Sequence, residues 1–136
     1  MTDNSVLGSC HCGSVKYRIL GKIDAFFCHC ENCRLNAGAP FAAWGRVPAD
    51  SFELLSGTLS EYNSSDEVIW SFCQSCGTSI KYQNLESAPD IDFMLATLKS
   101  PGDVTPKYHI QTKEKLPWVN INDDLPKYER WVENKA

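Results

Sequence analysis

The sequence predicts an all-β, or at least β-rich, single domain with few short helices, and three observations carry that expectation. Several short stretches alternate apolar and polar residues with a period of two, glycines and prolines punctuate them closely, and helix signals are weak. At 136 residues the chain has the length of one domain, expected over residues 5–133 with tails 1–4 and 134–136.

The elements follow in order. Val15, Tyr17 and Ile19 alternate with Lys16 and Arg18, the pattern of a half-buried strand. Two further strands are expected over Phe41 to Val47 and Phe52 to Leu55, separated by the turn signal Pro48-Ala49-Asp50. Val68, Trp70 and Phe72 would share one face of a strand running into Cys73, Asp92 to Leu98 suits a buried strand, and Tyr108 to Ile110 another. Helical structure is expected only as a short turn over Arg34-Leu35-Asn36-Ala37, stopped by Gly38, and in the tail from Pro126 to Glu133, where proline suits the first helical position.

Composition narrows the function. A net charge of −4 argues against a phosphate-neutralising surface, so no nucleic-acid partner is expected. No apolar run approaches the length of a membrane span, so no membrane partner is expected either. Met1-Thr2-Asp3-Asn4-Ser5 is polar and acidic, without the basic and apolar regions of a secretory signal. The expected location is the cytoplasm, where thiols stay reduced.

Seven cysteines in so short a chain therefore read as metal ligands. They form three clusters: Cys10-His11-Cys12, Cys28-His29-Cys30-Glu31-Asn32-Cys33, and Cys73-Gln74-Ser75-Cys76 followed by Gly77. Zinc prefers four soft donors in a tetrahedron, and seven divides into four plus three. The triplet is local and can present three sulfurs to one ion, leaving Cys10 and Cys12 to join Cys73 and Cys76 across the fold. The competing division joins part of the triplet to Cys73 and Cys76 in the manner of a zinc ribbon. Spacing favours the first, because the second strands cysteines with too few partners.

Four thiolates fill a zinc ion and hold structure, whereas three leave a position open for water or a substrate thiol, as in catalytic sites. His11 or His29 could close that position, but a ring between two ligands of the triplet would normally point away from the metal. His109 reads as a structural residue, and Phe41, Trp44 and Trp118 as core. Arg34 and Arg46 could grip a substrate carboxylate, although a solvated surface role is the simpler reading for both.

Gly8-Ser9-Cys10-His11-Cys12-Gly13-Ser14-Val15, Cys28-His29-Cys30-Glu31-Asn32-Cys33-Arg34 and Phe72-Cys73-Gln74-Ser75-Cys76-Gly77-Thr78 resemble the three signatures of one family. It is that of the glutathione-dependent formaldehyde-activating enzymes, which share their domain with centromere protein V. Gly38-Ala39-Pro40-Phe41, His109-Ile110 and Lys115-Leu116-Pro117-Trp118 are further matches. The resemblance implies a β-tent-like fold around two zinc ions. Its closed structural site would use Cys10, Cys12, Cys73 and Cys76, and its open catalytic site Cys28, Cys30 and Cys33. The implied activity is that of a carbon–sulfur lyase resembling S-(hydroxymethyl)glutathione synthase, acting on a small thiol or aldehyde, glutathione among the candidates. The chain is most similar to short members, with His29 where the better-known glutathione enzymes have glycine. A different class of function, a zinc-stabilised module that binds a protein partner without turnover, has no need of a three-thiolate site.

Overall fold

The computed structural model of the chain describes residues 5–87 and 89–132; the tails 1–4 and 134–136, and Glu133 at the end of the expected terminal helix, lie outside the described residues. Strands β1 (Val6–Ser9), β2 (Lys16–Ile19) and β5 (Phe52–Ser56) form a three-stranded antiparallel sheet in that order. A seven-stranded sheet takes β10 (His109–Ile110), β3 (Asp24–Cys28), β4 (Ala42–Pro48), β9 (Asp90–Met94), β8 (Ser79–Asn84), β7 (Val68–Cys73) and β6 (Leu59–Asn63), in that order from one edge to the other. Its pairings are antiparallel except that of β10 with β3. Helix α1 (Glu31–Ala37) starts inside the cysteine triplet and ends at Gly38. The β-rich expectation holds, and the helical turn is one residue triplet longer at its start than the sequence marks.

Alternation along the strands divides the large sheet into two faces with different partners. Ile91 and Phe93 of β9, Ala25 of β3 and Val47 of β4 join Val15, Tyr17 and Ile19 in one buried cluster, between the sheets. Met94 of β9, Phe26 of β3 and Trp44 of β4 look the other way, into a second cluster with Trp70 and Ile110. Cys10 and Cys73 border the first cluster, and Cys28 and Cys33 border the second. The cysteine groups are thus set on opposite faces of one sheet.

The turn expected at Pro48-Ala49-Asp50 is present: Pro48 ends β4, and Ala49–Ser51 form a 3-10 turn that carries the chain from the large sheet into the small one. Other expectations need correction. The apolar run Asp92 to Leu98 leaves the sheet after Met94, where Leu95–Thr97 coil into another 3-10 turn closed by Thr97 Oγ1 donating to Met94 O at 2.7 Å. On β7, Val68 and Trp70 share the second cluster. Cys73, of opposite parity to Trp70, belongs to the first cluster, while a register shift leaves Ile80 as the extra residue of β8 and turns it to the first cluster although Tyr82, two residues on, packs against the second. The tail from Pro126 is not helical over the described residues. His109 N and Gln111 N donate to Pro126 O and Arg130 O, and Tyr128 N returns a bond to His109 O, so pairing alongside β10 satisfies its backbone better than a lone helix would. Trp118, expected in the core, is 67% exposed.

Candidate functional site

Two short turns 61 residues or more apart in sequence build the first cysteine group. In Cys73-Gln74-Ser75-Cys76, the amides of Ser75 and Cys76 donate to Cys73 Sγ at 3.3 and 3.4 Å, and Gly77 N closes the turn on Cys73 O at 2.9 Å. Gly77 sits at φ 80°, a conformation that favours glycine over residues with a Cβ. The loop after β1 works similarly: Val15 N donates to Cys10 Sγ at 3.2 Å and Gly13 N to Cys10 O at 3.2 Å. The loops are joined by His11 N donating to Thr78 Oγ1 at 3.1 Å. The sulfurs of Cys10, Cys12, Cys73 and Cys76 all lie within 4.8 Å of one another. Cys10 and Cys12 are 3.6 Å apart, Cys12 and Cys73 3.9 Å. Four sulfurs around zinc would stand about 3.8 Å apart, from a bond of about 2.3 Å. The donor set fits a tetrahedral ion, and the amides that point at sulfur would delocalise its charge.

The second group comprises Cys28, Cys30 and Cys33, whose sulfurs again lie within 4.8 Å of one another. Cys28 ends β3, and Cys30 caps α1 by accepting from Cys33 N at 3.4 Å, so one helical turn brings the last two thiols together. Buried Trp44 donates its indole N–H to Cys33 Sγ at 3.3 Å. Among the thiols themselves, hydrogen bonds from Cys28 and Cys33 pull Cys30 well below the ordinary cysteine range. The bond with Cys30 pushes Cys28 up to about 12, and bonds with Cys28 and Cys30 raise Cys33 as well. Sharing hydrogen bonds, the three thiols oppose one another's ionisation, and a divalent cation is what would let all three ionise together. Both cysteine groups could hold metal ions. The zinc-ribbon grouping of the triplet with Cys73 and Cys76 is not formed.

No histidine joins either group among the described residues. His11 is exposed, and His29 is buried with its ring turned to His109, Nε2 to Nδ1 at 2.9 Å. His109 Nε2 meets Asp123 Oδ2 at 2.9 Å, so this buried histidine is structural, as its strand position predicts, but it belongs to a polar chain reaching the surface. With Asp123 accepting from His109 Nε2, His29 Nε2 donates to His109 Nδ1, and His29 Nδ1 is left buried without a partner among the described residues. Burial, reinforced by His109, pushes His29 down to about 4, so the ring stays neutral. Phe41, half-buried, lies 5.0 Å from its ring.

The triplet opens on a cavity of about 700 Å³ on the second face of the large sheet. Its floor is a row of alternate residues: Phe26, Trp44, Arg46, Asp92, Tyr82 and Trp70. Arg46 and Asp92 are cross-strand neighbours, with Nε–Oδ1 at 2.7 Å and Nη2–Oδ2 at 3.1 Å. The fork offered by sequence as a carboxylate grip is thus already filled, and Arg46 is neither a free ligand for substrate nor a solvated surface group. Arg34 stands on α1 with its Nε buried and unpartnered among the described residues, and it does not line the cavity. Sequence alone did not single out Asp92, Trp70, Tyr82 or Gln111. Gln111 carries a signal visible only in the backbone: it is the one non-glycine with positive φ among the described residues, at 56°.

Known proteins give this geometry a setting. The family described as glutathione-dependent formaldehyde-activating enzyme matches residues 5–114. An uncharacterized lyase of Schizosaccharomyces pombe is 29% identical over 76 residues, which are 55% of this chain and 55% of that protein, so the match spans about half of the relative's own length. The crystal structure of a Rhodobacter sphaeroides protein, a structural-genomics target, aligns with a TM-score of 0.58 at 20% identity, over 90% of this chain and 98% of that one. The last supports the fold alone; the first covers all three cysteine clusters, and by it the chain belongs to the glutathione-dependent formaldehyde-activating enzyme family.

Proposed function

We propose that the protein is a zinc-dependent carbon–sulfur lyase-type enzyme that makes or cleaves the adduct of a small thiol and an aldehyde. The observation that carries this reading is the three-thiol group of Cys28, Cys30 and Cys33 at the wall of an open cavity, beside a full four-thiol group elsewhere. In the synthetic direction RSH adds to an aldehyde. The C–S bond forms as the carbonyl π bond breaks, and the thiol proton ends on the new hydroxyl, so no oxidant or reductant is required. Zinc bound by Cys28, Cys30 and Cys33 would supply a fourth position at which a thiol ionises near neutral pH.

The chain's own residues provide the rest. Trp44 holds Cys33 by its indole N–H, and α1 fixes Cys30 against Cys33. Trp70 and Tyr82 wall the cavity with rings that exclude water from one side of the reacting groups. The group of Cys10, Cys12, Cys73 and Cys76 would hold a structural zinc, tying the loop after β1 to the end of β7. A reducing compartment such as the cytoplasm suits both sets of free thiols, and no helix is long and apolar enough to cross a membrane among the described residues.

Cys30→Ser tests the reading. Its ligands lie in one short segment, so the variant should stay folded, keep one zinc of two, and lose calorimetrically detected binding of small thiols. If wild type holds two zincs and yet neither protein binds any thiol, the enzyme reading fails, and a non-catalytic module for a protein partner takes its place.

A further inference from the structure

We infer that the cavity selects a neutral or cationic thiol adduct and discriminates against anionic ones, glutathione included. This rests on the proposed use of the three-cysteine group as a thiol site and names the substrate class for it.

The cavity's charges are unequal. Four carboxylates line it, from Glu31, Asp90, Asp92 and Glu114, against one cation, Arg46. That cation is already spoken for: its guanidinium is bonded twice to Asp92 and lies over the Phe26 ring, 5.0 Å from the centroid. The ion pair leaves the floor neutral, so Glu31, Glu114 and Asp90 remain without a counter-charge among the lining residues. Three ionised cysteines around a divalent ion add a further charge near −1.

The placement of these acids is built into the fold. Glu31 directly follows Cys30 at the start of α1, and Glu114 Oε1 accepts the Glu31 backbone N–H at 3.0 Å, which holds both carboxylates beside the triplet. The lysine nearest in sequence to Glu114 on its far side, Lys115, is turned away, donating to Leu116 O at 3.2 Å and Val119 O at 2.7 Å. No lysine lines the cavity among the described residues.

Volume does not discriminate here, since about 700 Å³ lies within the range of small-molecule sites. Charge does. Glutathione carries two carboxylates and one ammonium besides its thiol, and each carboxylate would enter a field of its own sign with no free guanidinium or ammonium to meet it. An aminothiol, or an uncharged thiol, meets no such opposition. Trp44, Trp70 and Tyr82 complete the picture by offering aromatic faces, which suit an apolar or cationic group better than a carboxylate.

The experiment titrates zinc-loaded wild type and the Glu31→Gln/Glu114→Gln double variant calorimetrically with 2-aminoethanethiol, 2-mercaptoethanol, 3-mercaptopropionate and glutathione. Glutamine keeps an oxygen to accept the Glu31 amide, so the change removes charge and preserves that bond. In wild type at low salt, 2-aminoethanethiol should bind at least about tenfold more tightly than 3-mercaptopropionate, and the gap should shrink as salt shortens the screening length. The decisive quantity is the ratio of the two affinities, which should fall by about threefold or more in the double variant, because the thiols' own acidities cancel when the proteins are compared. Anionic thiols binding wild type as tightly as the aminothiol, or a ratio indifferent to both salt and variant, overturns the inference and leaves the thiol site standing. Absence of binding by all four probes removes the thiol site itself, and the inference with it.

Discussion

Replacing Trp44 with phenylalanine separates what this side chain does for the three-cysteine group from what it does for the core. The indole N–H lies 3.3 Å from Cys33 Sγ, and both residues are buried. If zinc is held there, that bond is made to an ionised sulfur, the kind worth about 1.5–3 kcal/mol. Partners of metal ligands typically govern about 10–100-fold in affinity, which is about 1.4–2.8 kcal/mol by the tenfold-per-1.4 rule, so the two scales agree. Phenylalanine keeps most of the ring volume against Trp70 and Tyr82, so the folding cost should be lower, roughly 1–2 kcal/mol. Competition with a chromophoric chelator should resolve two zinc ions in wild type. In the variant the weaker-bound ion should lose about 10–100-fold in affinity, while the ion on Cys10, Cys12, Cys73 and Cys76 stays within about twofold, since that group lies on the opposite face. Unchanged affinity for both ions would refute the role given to the indole. Equal weakening of both would show that the loss travels through the fold and not through Cys33.

Other perturbations have distinct signatures. Cys73→Ser should give insoluble or unfolded protein, because its buried thiol belongs to a group drawn from segments 61 residues apart or more; a soluble variant with a cooperative melt would show that this group is not structural. Gly8→Ala should cost about 1–3 kcal/mol, and lower the melting temperature by about 4 °C for each kcal/mol, because a Cβ there would lie 2.1 Å from Tyr17 Cζ. The Tyr17 ring cannot yield easily, being fully buried and stacked on Phe52 at 4.9 Å, and an unshifted melt would contradict this. Asp92→Asn should cost about 1–3 kcal/mol, less than for a fully buried pair because Arg46 is 34% exposed, and should improve binding of 3-mercaptopropionate by freeing the Arg46 fork; weaker binding of that acid would oppose the proposed arrangement of charge.

The cysteine groups could be read from sequence because metal ligands come at short fixed spacings, set by how sharply a chain can turn around one ion. Cys28, Cys30 and Cys33 needed only the first turn of α1 to meet; the sequence marked only the last turn, Arg34 to Ala37 before Gly38, so the spacing of the cysteines alone carried that grouping. The cavity floor was not legible. It takes single residues from β3, β4, β9, β8 and β7, and nothing local distinguishes Tyr82 or Asp92 from other residues on a half-buried strand until the strand order is known. The bulge at Ile80 further decouples residue parity from face on β8, where Ile80 and Tyr82 stand two apart yet belong to opposite clusters. The tail from Pro126 failed for another reason. Its helical signals were local, and pairing with the segment around His109 offered its backbone more than eight residues of isolated helix could.

The two faces of the seven-stranded sheet also bear on how such a protein can diversify. Along β9, Ile91 and Phe93 support the fold while Asp92 and Met94 face the second cluster, and β4 alternates in the same way between Val47 and Arg46. Substitutions at Arg46, Tyr82 and Asp92 can alter what the cavity admits without disturbing the side chains that join the two sheets. On the proposed reading of the cavity as a thiol site, a lineage can exchange one thiol for another by drift at every second position of a few strands, with the cysteines and the opposite face held constant. Within one architecture, inheritance of the metal-ligand set and inheritance of what the cavity admits become separable.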